Sequence, residues 1–109
     1  MAAYTFQIYK DKAGEFRFRF KAPNGETMFG SEGYKAKASA LSGIESVKRH
    51  AQHDKHYERK QTASGHSFNL RATNHQVIGT SEVYTTQNAC QKGIESVMKN
   101  APGALTKEL

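Results

Sequence analysis

Cysteine, tryptophan and proline are almost missing from this chain of 109 residues, which has one Cys, no Trp and two Pro. A single cysteine, Cys90, cannot close an internal disulfide or supply a cysteine zinc site. Large aliphatic and Phe side chains are also scarce. Ile, Leu, Val and Phe together number 18 of 109, below the roughly 20% under which disorder becomes a concern when net charge is high. Net charge is only modest: 16 Lys+Arg against 10 Asp+Glu leave +6. Composition alone fits either a lean folded domain or a disordered chain, so the residue pattern has to decide. No apolar run approaches the ~18 residues of a membrane helix. Residues 1–7, Met-Ala-Ala-Tyr-Thr-Phe-Gln, lack the basic and apolar regions of a secretion signal. The expectation is a soluble, cytoplasmic protein with no membrane partner, and the length fits a single domain over 1–109.

What is present is a repeat. Shifted by 50 residues, Gly43-Ile44-Glu45-Ser46-Val47 recurs as Gly93-Ile94-Glu95-Ser96-Val97. Ala22-x-Asn24 recurs as Ala72-x-Asn74, and Ser31-Glu32-x-Tyr34 as Ser81-Glu82-x-Tyr84. Lys10, Ala13, Phe18 and Ala51 match Lys60, Ala63, Phe68 and Ala101, giving 14 identities over 42 positions without a gap. The repeats cover about 1–52 and 53–109. Residues 1–54 and 55–109 each carry +3, so neither half is a basic tail. A disordered chain has no reason to keep such spacing.

Each unit reads as strands followed by a helix. Phe16-Arg17-Phe18-Arg19-Phe20-Lys21 alternates aromatic and cation, the period-two pattern of a half-buried strand. His66 to Arg71 keeps the same phase. Earlier strands are expected at Tyr4 to Lys10 and Tyr57 to Lys60, with turns at Lys12-Ala13-Gly14 and Ala63-Ser64-Gly65. Asn24-Gly25 predicts a type I′ hairpin turn, where both central residues need positive φ. The second copy has Asn74-His75. Glu26 to Ser31 and Gln76 to Ser81 are the returning strands. Thr85 is the expected N-cap of the second helix. Ala40, Ile44, Val47 and Ala51 form one apolar helical stripe, repeated by Cys90, Ile94, Val97 and Ala101. Gly43 and Gly93 precede the stripe isoleucines. A mid-helix Gly costs roughly 1 kcal/mol against Ala, so its recurrence predicts close helix-to-sheet approach.

Ala-x-Asn-Gly-Glu, Ser-Glu-x-Tyr and Ala-x-x-Gly-Ile-x-Ser-Val, taken over the two halves, resemble the YegP-like family of small bacterial proteins, also known as a domain of unknown function. The resemblance spans about Phe6 to Ala101. It implies an α+β fold of two tandem β-β-β-α repeats, each followed by a further strand. They would form one antiparallel sheet with two helices packed on one face. It implies no activity and no catalytic residues. His75 in place of Gly25 is a departure from the pattern.

Several residue groups carry side chains capable of chemistry. Cys90 stands where the first unit has Ala40, which marks it as small apolar filling rather than a nucleophile. His50, His53 and His56 with Asp54 have spacing that could serve zinc, but they lie in a Lys/Arg-rich junction and are not duplicated, so a solvated linker is expected. Glu32/Tyr34 and Glu82/Tyr84 could be acid/base pairs, yet their place before the helices fits capping and packing. Asn24 and Asn74 read as turn formers. Phosphate loops, H-E-x-x-H and G-x-S-x-G are absent from the sequence. No catalytic residues, cofactor or metal ligands are therefore expected, and the chain reads as a non-enzymatic interaction or accessory domain. The alternative is weak, sequence-independent binding of nucleic-acid phosphates through a basic sheet face. Arg17, Arg19, Lys21, Arg71, Arg59 and Lys60 are its candidate contacts. The strand of Arg17–Lys21 has no aromatic on its polar side, so base stacking is not expected. A protein partner is the other possibility.

Overall fold

Alternation along Phe16–Lys21 buries Phe18 and Phe20 completely and leaves Arg17, Arg19 and Lys21 on the opposite face. The computed structural model describes residues 3–109. Its strands are β1 (Thr5–Lys10), β2 (Phe16–Lys21), β3 (Thr27–Gly30), β4 (Tyr57–Thr62), β5 (Gly65–Arg71), β6 (Val77–Ser81) and β7 (Leu105–Glu108). Its helices are α1 (Lys37–His50) and α2 (Gln87–Asn100), each followed by a short 3₁₀ segment before the next strand. The fold is α+β with two β-β-β-α repeats, as the sequence implied. All seven strands join one sheet in the order β4-β5-β6-β3-β2-β1-β7. The sheet is mixed rather than antiparallel, because β7 runs parallel to β1. Only the second helix is followed by a strand additional to the three per repeat; the strand after α1 is β4 itself.

The repeats meet at the β3–β6 pair, where Gly30 lies opposite its own counterpart Thr80. A local two-fold relation therefore passes through this pair. It places β1, β2 and β3 opposite β4, β5 and β6, and leaves β7 without a mate. Both expected helix stripes are buried, and all of their residues except Ala40 pack with Phe6, Phe18, Phe20, Phe29, Phe68 and Leu70 in one continuous apolar cluster. Full burial of each such side chain contributes roughly 1.5–3 kcal/mol.

Three local expectations need correction. The helix N-cap is Thr86, whose side chain accepts from the Ala89 amide at 3.0 Å, not Thr85. The Asn24-Gly25 loop is not type I′: only Gly25 has positive φ (88°), the Gly25 amide donates to Ala22 O at 2.9 Å, and Ala22 N closes on Glu26 O. This is a three-residue loop, a type I turn followed by a left-handed residue. His75 makes the same loop with φ 69°. Asn24 and Asn74 accept from the amides of Glu26 and Gln76 at 3.0 Å, confirming both as turn formers.

The third correction concerns register. Phe18 pairs with Ile8 and Phe68 with Arg59, so the first strands are offset by 51 residues while the second strands are offset by 50. One residue is missing from the second hairpin loop. Lys60 and Ala63 are therefore not the structural counterparts of Lys10 and Ala13, and Arg59 occupies the position of Ile8.

Candidate binding surface

The side of the sheet away from the helices is uncovered. Side chains that alternate with the buried Phe and Leu residues form it. One row crosses every strand: Glu58, Asn69, Thr80, Gly30, Arg19, Gln7 and Lys107. Gly30 and Thr80 are the short residues at its centre. Arg17, Lys21, Lys60 and Arg71 lie on the same face. This face thus carries six cations against the carboxylates of Glu58 and of Asp11, which reaches Arg17 from the neighbouring loop. Most of the chain's net charge of +6 stands on this one side.

The arginines are not free side chains. Arg17 donates from Nε to Asp11 Oδ2 at 2.7 Å, and its hydrogen bond holds the Asp11 carboxyl below the usual carboxylate range. Arg71 reaches Glu58 Oε1 at 2.9 Å, and that bond, aided by Asn69, likewise lowers Glu58. Arg19 donates to Gln7 Oε1 at 2.9 Å and lies 4.6 Å from the Tyr9 ring centroid. All three are half-buried rather than fully exposed, because neighbouring long side chains pack along their stems. Arg19, Lys21, Lys60 and Lys107 have no carboxylate within salt-bridge distance among the described residues. Tyr9, from the adjacent strand, is the aromatic that alternation along Arg17–Lys21 could not reveal.

Arg59 does not belong to this face. It pairs with Phe68 and points to the helix side, where it bonds Asp54 Oδ1 at 2.7 Å and Gln91 Oε1 at 2.9 Å. Its strand phase, set by the register with Phe68, removes it from the basic face that the sequence alone suggests.

The remaining groups have structural partners. Cys90 is 4% exposed, and burial pushes its thiol up from the usual range. The Ser31 hydroxyl accepts from Phe18 N at 3.0 Å and donates to Glu32 O at 2.8 Å. Ser81 repeats this with Phe68 N and Glu82 O. Tyr34 and Tyr84 lie against Gly43 and Gly93, and burial raises both phenols. No hydrogen bond joins Glu32 to Tyr34 or Glu82 to Tyr84 among the described residues. The duplicated motif thus ties the sheet to the middle of each helix, rather than to the helix end.

Helix α1 stops at His50, so His53 does not share its face. His50 Nδ1 lies 2.7 Å from Ser46 O, and its Nε2 accepts from Thr73 N at 3.2 Å, tying the helix to the second repeat. Its ring packs 4.7 Å from that of His56. Among the described residues no three His, Cys, Asp or Glu side chains are placed to hold a metal ion. No helix is long and apolar enough to cross a membrane.

A cavity of about 490 Å³ opens between the β4 edge and the start of α2, with Arg59, Gln61, His66, Cys90 and Gln91 on its walls. Its sequence signal is the divergence of Ile8, Phe16 and Ala40 into Arg59, His66 and Cys90, of which only the first is hidden by the missing loop residue.

A small α+β repeat protein with a cationic, uncovered sheet is the class that this architecture defines. The chain belongs to the family described as domain of unknown function DUF1508, which matches residues 11–58 and again 62–108. A UPF0339 protein of Agrobacterium fabrum is 75% identical over 48 residues, covering 44% of this chain and 77% of that relative. Two solution NMR structures match over almost the full length. The UPF0339 protein SO3888 of Shewanella oneidensis superposes with TM-score 0.92 at 37% identity, covering 98% of this chain and 92% of that one. YegP of Escherichia coli, a protein of unknown function, superposes with TM-score 0.91 at 40% identity, covering 99% and 94%.

Proposed function

We propose that the chain is a single-domain, non-catalytic binding module of the cytoplasm, and that the uncovered sheet face is its working surface. The observation that carries this reading is the placement of charge: six cations stand on the face that no helix covers, four of them without a carboxylate partner among the described residues. An open sheet face with short residues at its centre and cations on both flanks suits an extended acidic surface of a partner macromolecule. The duplicated Glu32/Tyr34 and Glu82/Tyr84 pairs are absorbed by packing, with no hydrogen bond inside either pair among the described residues, so they lend no support to an enzymatic reading.

A second reading is contact with nucleic-acid phosphates. Lys21, Lys60 and Lys107 favour it as unpaired cations, whereas the bonds of Arg17 and Arg71 to Asp11 and Glu58 weigh against it. Retention on immobilised duplex DNA or RNA across a salt series tests it. Replacing Arg17, Arg19 and Lys21 by Ser is expected to make the log–log salt slope shallower by up to about 2.7, at roughly 0.9 per phosphate contact. Absence of retention at low salt, where electrostatic binding is strongest, ends the nucleic-acid reading and leaves a protein partner.

A further inference from the structure

The two-fold relation between the repeats gives β4 the place of β1: Tyr57 matches Phe6, Glu58 matches Gln7 and Arg59 matches Ile8. On its outer edge β1 carries β7, a parallel strand with Lys107 beside Gln7 and Glu108 beside Ile8. The Glu108 carboxylate pairs with Lys37 in the first turn of α1. Among the described residues β4 pairs only with β5, and no strand lies on its other edge. The corner beneath has diverged accordingly. Ile8 is 2% exposed and Phe16 packs on the core, whereas Arg59 and Gln61 are exposed and His66 is half-buried around the 490 Å³ cavity. Asp54 and Gln91 fix the Arg59 guanidinium through Nε and Nη2, while Nη1 has no partner among the described residues.

We infer that β4 is a strand-addition site for an extended segment of a partner protein, bound parallel to β4 with an acidic side chain directed at Arg59. Main-chain hydrogen bonds supply affinity in this mode, and alternate side chains supply selectivity. β7 is the internal example of the occupant. Laid on β4 as it lies on β1, the same sequence would set Lys107 beside Glu58 and Glu108 beside Arg59. Both pairs are of opposite charge, whereas β1 offers only Gln7 and Ile8. Consecutive cations at Arg59 and Lys60 disfavour the pairing of β4 with β4 of a second copy, since facing like charges destabilise a strand pair. The site shares Glu58 with the uncovered sheet face but is tested at the β4 edge, so it does not depend on that face binding a partner.

The probe is the acetylated hexapeptide Ala-Leu-Thr-Lys-Glu-Leu, the sequence of residues 104–109, titrated to millimolar concentration into the ¹⁵N-labelled full chain. Amide shifts are expected along β4 and the first turns of α2. A peptide with its Lys and Glu exchanged is expected to bind about fivefold more weakly or worse, since two favourable cross-strand pairs become like-charge pairs. In the doubly exchanged protein, Glu58→Lys with Arg59→Glu, that preference should invert. Arg59→Ile, which installs the residue of the β1 corner, should lose the preference at position 59 even if the double variant misfolds. Shifts confined to β1 and β7, equal binding of the two peptides, or no shift at β4 would overturn the inference.

Discussion

Phe29 and Gly79 stand at matching places in the two repeats, and the ring of the first fills the space left by the second. A Cβ on Gly79 would lie 2.6 Å from Phe29 Cδ1 and 2.9 Å from Cε1. Near the two-fold only one of the two positions can hold a large side chain, so the repeats had to differ there.

Gly79→Ala should therefore destabilise. Removing a strand glycine would otherwise help by roughly 0.5–1 kcal/mol, but overpacking costs about 1–3 kcal/mol. Chemical denaturation should show a net loss. Phe29→Leu makes room, so the double variant should be more stable than the sum of the singles, with a coupling of about 0.5 kcal/mol or more. Additivity would mean that the ring moves freely.

The helix glycines obey the same logic. A Cβ on Gly43 would meet Tyr34 Oη at 2.7 Å and Phe18 Cε2 at 2.9 Å; one on Gly93 would meet the Tyr84 hydroxyl and lie 2.8 Å from its Cζ. Gly→Ala at an exposed helix site gains roughly 1 kcal/mol. At both of these sites destabilisation is expected instead. Tyr84→Phe removes the nearest atom, so it should relieve part of the Gly93→Ala defect. Stabilisation by either single Ala variant would contradict the close approach.

Much of this was legible in the sequence. Strict alternation along Phe16–Lys21 fixed which side chains enter the core, and the doubled helix stripe fixed both helices. Three features were not legible in the residue pattern, each for a physical reason, although the family resemblance implied a strand after the second helix. β7 is exposed at all four residues and held by backbone pairing, so Leu-Thr-Lys-Glu carries no hydrophobic pattern of its own. The missing residue in the second hairpin loop moved Arg59 into the place of Ile8, and a gapless comparison could not see that. Asp11–Arg17 and Glu58–Arg71 join residues six and thirteen apart through hairpin geometry, so the charge on the open face was overestimated.

His75 occupies the left-handed region at φ 69°, where its counterpart is Gly25 at 88°. That conformation costs an L-residue roughly 1–2 kcal/mol, offset in part by the greater freedom of an unfolded glycine. His75→Gly should raise stability by up to about 1 kcal/mol, measured by thermal or urea unfolding. Gly25→Ala should lower it.

Burial, helped by the neighbouring His50, Lys55 and His53, holds His56 below the usual histidine value of 6.5. A group whose folded value is depressed contributes stability that is complete above its unfolded value and is lost as pH falls towards the folded one. Stability should therefore decline as pH drops below about 6.5, before the Asp11 and Glu58 carboxylates titrate at lower pH. In His56→Gln that first decline should shrink. An unchanged profile would mean that His56 is already solvated in the folded state.

Capture from native lysate by two immobilised variants of equal charge change tests the working surface most directly. One variant carries Arg19→Glu and Lys21→Glu on the uncovered sheet face. The other carries Lys92→Glu and Lys99→Glu on the exposed side of α2. The wild type should retain specific partners, the α2 variant should retain the same set, and the sheet variant should lose them. Parallel nuclease treatment separates nucleic acid from protein. Equal capture by both variants, or loss only with the α2 variant, would contradict a working surface on the uncovered sheet.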